Sequence, residues 1–132
     1  MKPDTSSLSP ARRDLARPAL SAFFNICDKW RLTSDQTRTL LGRPPRSTFY
    51  RWRRVRTGVL THDALERISC VLGIYKALHI LFVEPAQADG WIKRANLATL
   101  FDGGSALDRM LGGQVADLSA VRQYLDSQCG WA

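Results

Sequence analysis

Several features that would mark a membrane protein, a secreted domain or an enzyme are missing from this 132-residue sequence. No apolar run approaches the ~18 residues of a membrane span. Met1 to Pro10 is Ser/Pro-rich and polar, without the apolar core of a signal peptide, so residues 1–17 are expected to form an unstructured leader. Cysteine is scarce: Cys27, Cys70 and Cys129 lie far apart with no CxxC spacing. That excludes a disulfide framework or a zinc site and fits a reducing cytoplasm. The two histidines, His62 and His79, stand alone with no partner at metal-ligand spacing. Gly103-Gly104 follows no strand and precedes no lysine, so it is no phosphate loop, and Ser105 after it reads as a helix cap. Cys27 and Cys70 fall on apolar stripes as small core residues, and no base stands beside Cys129. No catalytic set, metal or cofactor emerges, and the chain is not read as an enzyme. Period-two alternation and internal repeats are also absent, which leaves an all-α reading.

What is present is charge of one sign, unevenly placed. Lys and Arg number 19 against 12 Asp and Glu, a net +7 with a pI near 9.9. Residues 1–62 hold 13 basic and 4 acidic side chains, whereas residues 63–132 hold 6 and 8. The first half is composed to meet a polyanion and the second is not.

Apolar spacing at three and four residues runs through the whole chain. Pro18 suits the first position of a helix carrying Leu20, Phe23, Phe24, Cys27 and Trp30 on one stripe. Thr33 and Gln36 form a capping-box pattern opening a short helix that ends at Leu40-Leu41-Gly42. Arg43-Pro44-Pro45 must turn, because proline cannot continue a helix. A second short helix follows from about Arg46 to Val55. Asp63 and Glu66 are expected to cap a long third helix that holds its apolar stripe to Phe82 despite Gly73. Shorter helices follow, one from about Pro85 to Arg94 with Trp91, one capped by Ser105 and Asp108, and a last one with Val115, Leu118, Val121 and Leu125 inward.

Two short helices joined by a tight Gly-containing turn describe a helix-turn-helix. At 100° per residue the second helix places Phe49, Trp52 and Arg53 on one side. Ser47, Arg51 and Arg54 lie opposite, with Thr48 and Tyr50 on the flanks. Arginine forks reach guanine edges or phosphate, and hydroxyls near a helix N-terminus hold phosphate. Arg43, Arg46 and Arg56 flank this face and suit the DNA backbone. Read from residues alone, the chain is a DNA-binding regulator whose second half binds a protein, dimerises or senses a ligand. A pure protein-interaction module with a decorative basic half is the bland alternative.

The segments Leu40-Leu41-Gly42, Arg46-Ser47-Thr48-Phe49-Tyr50-Arg51-Trp52, Leu65-Glu66-Arg67-Ile68-Ser69 and Leu72-Gly73-Ile74-Tyr75-Lys76-Ala77-Leu78 resemble the Xre/MbcA/ParS-type antitoxins. So do Gly103-Gly104-Ser105-Ala106-Leu107-Asp108-Arg109-Met110-Leu111 and Val121-Arg122-Gln123-Tyr124-Leu125-Asp126. The resemblance covers Pro18 to Ala132. It implies the antitoxin of a type II toxin–antitoxin module, in which a helix-turn-helix half binds the operon's own promoter DNA. It also implies a small helical C-terminal half that clamps a RES-domain toxin, an NAD-degrading enzyme. In the family the extreme C-terminus covers the toxin's active-site entrance, which falls here on Asp126 to Ala132 and includes Gly130 and Trp131. Arg109 and Arg122 are expected to meet the toxin as well. The chain departs from the family pattern at Pro44-Pro45 and at Gln128-Cys129, where a more basic segment is expected. The organisation expected is a DNA-binding part over 18–62, connecting and dimerisation helices over 63–95 and a toxin-binding part over 96–132. The assembly expected is a cytoplasmic homodimer.

Overall fold

The computed structural model describes residues 5–130, with the side chains of residues 5–15 excepted. The helices are α1 (Thr5–Lys29), α2 (Ser34–Leu40), α3 (Arg46–Val55), α4 (His62–Leu81), α5 (Pro85–Gly90), α6 (Ala106–Met110) and α7 (Val115–Cys129), with short 3-10 turns at Trp91–Lys93 and Thr99–Phe101. Among the described residues there is no strand beyond one isolated bridge between Ala95 and Ser105. No helix among them is long and apolar enough to cross a membrane.

The expected leader does not appear where it can be described. Residues 1–4 lie outside the described residues, but from Thr5 the backbone is already α1. Pro18 therefore sits inside the helix, on its exposed side, rather than at its start. A proline removes one backbone donor, and Ala11-Arg12-Arg13-Asp14-Leu15-Ala16-Arg17 is otherwise made largely of good helix formers. The cap of α4 also differs from expectation. Thr61, not Asp63, is its N-cap, with its hydroxyl accepting from the Ala64 amide at 3.0 Å. Asp63 is instead a first-turn acid that pairs with Arg67. The helix expected over Pro85 to Arg94 ends at Gly90 and tightens into a 3-10 turn.

α4 is the axis of the molecule, packed mainly on α7 and then on α1 and α5. One core joins Leu20, Phe23, Phe24, Cys27 and Trp30 of α1 to Leu40, Phe49 and Trp52. It continues through Ile68, Val71, Ile74 and Leu78 of α4 to Leu118, Val121 and Leu125 of α7. The apolar stripes expected from spacing thus face one another. Gly73, which interrupts the α4 pattern, lies where a Cβ would collide with the Arg122 guanidinium of α7.

Arg67 joins the two halves and is 7% exposed. Its Nε donates to Asp63 Oδ2 at 2.8 Å and its Nη2 donates to the Gly113 carbonyl at 2.9 Å, in the turn before α7. Gly42, in the α2–α3 turn with φ +90°, packs its α-carbon side against the same guanidinium. Asp63 is largely in water, so the ion pair itself contributes little. Arg67→Ala is expected to cost about 1–3 kcal/mol through the orphaned carbonyl and the lost packing of the stem. That should appear in thermal unfolding as a Tm lower by several degrees.

Candidate nucleic-acid interface

The first helix of the expected pair is fixed by its ends. Thr33 Oγ1 accepts from the Gln36 amide at 3.1 Å and Gln36 Oε1 accepts from the Thr33 amide at 2.9 Å, a complete capping box. Thr37 and Thr39 are buried, their hydroxyls donating to the Thr33 and Asp35 carbonyls at 2.9 Å. Gly42 and Arg43 both take positive φ in the turn, and Arg38 Nη1 donates to the Pro44 carbonyl at 2.9 Å. Pro44-Pro45 therefore ends the turn and leads directly into α3 at Arg46, with no side-chain cap on its first turn.

α3 divides as its wheel requires. Phe49 and Trp52 are buried, with Phe49 edge-on to Phe24 at 5.8 Å. Arg53, on the same side, is half-buried over the Phe24 ring and reaches Asp28 Oδ1 at 3.4 Å. Arg43, Arg46, Ser47, Tyr50, Arg51 and Arg54 are exposed, and Thr48 is half-buried. Tyr50 braces edge-on against Phe49 at 5.2 Å. Arg46 lies 3.5 Å from Asp35 with both side chains mostly in water, a contact too weak to withhold it from another anion. Arg56 is placed otherwise. It caps α3 in the left-handed region and stands 5.0 Å over the Phe24 ring. It also donates to the Arg53 carbonyl at 2.8 Å and the Ser21 carbonyl at 3.4 Å. Its charge is near the face, but two of its donors are turned to the fold. Among the described residues the exposed arginine surface of this face is thus Arg43, Arg51 and Arg54, with Arg46 held only by its weak contact to Asp35.

The residues expected to meet a toxin are less free. Arg109 Nε donates to Asp117 Oδ1 at 2.9 Å across the turn between α6 and α7. Arg122 lies over Gly73 and donates to the Ser69 carbonyl at 3.2 Å, with Asp126 at 3.8 Å. Gly130 closes α7 in the left-handed region at φ +84°. Trp131 lies outside the described residues. In the same half, and not anticipated from sequence, Trp91 and Tyr124 stack at 6.3 Å with Phe101 edge-on to both.

Among the described residues no three His, Cys, Asp or Glu side chains are grouped to hold a metal. Burial pushes the Cys27 thiol up to about 12, with a Thr37 hydrogen bond and Arg53 only partly offsetting it. Burial raises Cys70 too, against the pull of Arg122. A raised thiol stays protonated, so Cys27 carries very little thiolate at pH 8. A thiol reagent at that pH is expected to label the native chain at Cys129 alone and all three cysteines after unfolding, read by intact mass. Native labelling of Cys27 would contradict this placement.

Two family models match the chain, one in each half. Residues 9–73 match the family model of the antitoxin Xre-like helix-turn-helix domain. Residues 77–129 match that of the antitoxin Xre/MbcA/ParS C-terminal toxin-binding domain. The two matches meet inside α4. The chain is also 51% identical over 123 residues to the uncharacterized protein y4oB of Sinorhizobium fredii (strain NBRC 101917 / NGR234), covering 92% of this chain and 93% of that one.

Proposed function

Starting from the fact that the chain belongs to the Xre/MbcA/ParS antitoxins, with a helix-turn-helix domain and a toxin-binding domain, we propose that it neutralises a RES-domain, NAD-degrading toxin and represses its own operon by binding the promoter as a homodimer. The observation that carries the DNA reading is the outer face of α3. Arg46, Ser47, Tyr50, Arg51 and Arg54 stand exposed on one side of a helix whose other side is bolted to the core by Phe49 and Trp52. In this reading Arg51 and Arg54 meet base edges, while Arg43, Arg46 and the hydroxyls of Ser47 and Thr48 meet phosphate near the uncapped helix start. Arg56 contributes field rather than a contact. A twofold operator read by a dimer follows the usual matching of protein and site symmetry.

The test is a shift assay with a fragment of the operon's own promoter. Arg51→Ala is expected to weaken specific binding by about 1–3 kcal/mol without loss of fold, because it removes a base contact and no core contact. Wild-type affinity should fall with salt at a log–log slope of about −0.9 per phosphate neutralised. Binding that ignores salt, or no promoter binding at low salt, would refute the DNA half of the proposal.

A further inference from the structure

We propose that the aromatic cleft at the C-terminal end of α4 seats an apolar side chain of the toxin, anchoring the complex independently of the C-terminal tail. The inference rests on the antitoxin reading above. The cleft has a volume of about 250 Å³ and is lined by Leu81, Phe82, Trp91, Tyr124, Leu125 and Gln128. That is below the ~300–1,000 Å³ of small-molecule sites and suits one large side chain. Its walls are set: the Trp91 and Tyr124 rings lie within 18° of parallel, and Phe101 holds both edge-on from behind. Next in the chain to Leu81 and Phe82 are Ile80 and Val83, which are 54% and 95% exposed. Together with the cleft's own apolar lining, they form a run of apolar side chains over residues 80–83 that a protein partner would cover.

The occupant is argued from three observations. Every lining residue falls within 77–129, the part matched to the toxin-binding domain. No basic side chain lines the cleft, so it is unsuited to nucleic acid. Six residues separate α3 from α4, which runs 20 residues to the cleft, about 30 Å at helical rise. The arginine face and the cleft therefore sit at opposite ends of this helix, and DNA and toxin need not compete for surface. The exposed Gln128 amide at the rim is placed to hydrogen-bond the partner's backbone around the seated side chain.

The experiment uses the full-length chain, the toxin encoded in the adjacent reading frame, and the variants Val83→Lys and Ile80→Lys. Both positions are exposed, so the fold should hold, which unchanged Tm and unchanged promoter binding will verify. Each variant is expected to raise the Kd for the toxin at least tenfold, mostly through faster dissociation. Wild-type binding with both variants within twofold of it overturns the cleft while leaving the antitoxin reading intact. A variant that changes the oligomeric state of the chain without toxin assigns the cleft to a second copy and overturns the proposal as well. A wild-type chain that fails to bind that toxin overturns both readings.

Discussion

Trp52→Ala is expected to destabilise the chain by about 3–5 kcal/mol, enough to unfold a marginally stable domain. Trp52 is 6% exposed and holds α3 to the core beside Phe49. It is also the wall against which the chain folds after α3: a Cβ at Gly58 would stand 2.7 Å from Trp52 Nε1, at φ +150°. Among the described residues the indole N–H meets no protein hydrogen-bond partner, so the loss is chiefly one of packing and cavity. Trp52→Phe, which keeps an aromatic ring and removes the orphaned donor, should therefore cost less than Trp52→Ala. Urea unfolding followed by circular dichroism checks the order. A Trp52→Ala variant with unchanged midpoint would mean that α3 is rotated and that Trp52, with Arg53 on the same side, faces outward.

The second large effect concerns neutralisation. Removing Trp131 and Ala132 is expected to abolish protection against the toxin in a growth assay while sparing fold and promoter binding. α7 keeps its closure, because the Gly130 amide still bonds back to the Asp126 and Ser127 carbonyls. A tryptophan on a short tail makes an efficient interface anchor. Sequence spacing alone makes a longer cut, from Ser127 onward, look equally harmless. The fold says otherwise. That cut removes the last turn of α7 and Cys129, whose thiol lies 3.8 Å from the Ala77 carbonyl. A loss of protection after the longer cut would therefore mix unfolding with lost contact, and only the shorter one isolates the tail. Full protection by the shortened chain would move inhibition to another surface.

The longer helices were legible where they carry a three-to-four apolar period or a readable start, which the first turns of α1 and the short α5 (Pro85–Gly90) do not. Thr33 with Gln36 and Ser105 with Asp108 are reciprocal caps in the fold as in the sequence. The face of α3 was legible for the same reason, since two aromatics fix the rotation of a ten-residue helix. What stayed hidden is contact between distant residues. Arg67 reads as one more surface cation, and nothing local points to the Gly113 carbonyl that it reaches across 46 positions. Arg109 reads as free for a partner, but Asp117 claims it across a turn. The Arg122–Asp126 pair, at i and i+4, carried a signal that helix spacing makes visible. Arg56 stands at the end of α3, where the left-handed backbone turns it back onto Phe24 and away from the outer face. The aromatic cleft draws on Phe82, Trp91 and Tyr124, from three elements, and no period in the sequence links them.

Under the proposed function this chain silences an NAD-degrading toxin. The direct measurement is intracellular NAD in cells expressing the protein of the adjacent reading frame, with and without this chain. The account predicts that NAD and growth collapse with the toxin alone and return to normal when full-length antitoxin is co-expressed. NAD that stays level with the toxin alone, or that stays depleted in the presence of the full-length chain, would contradict it.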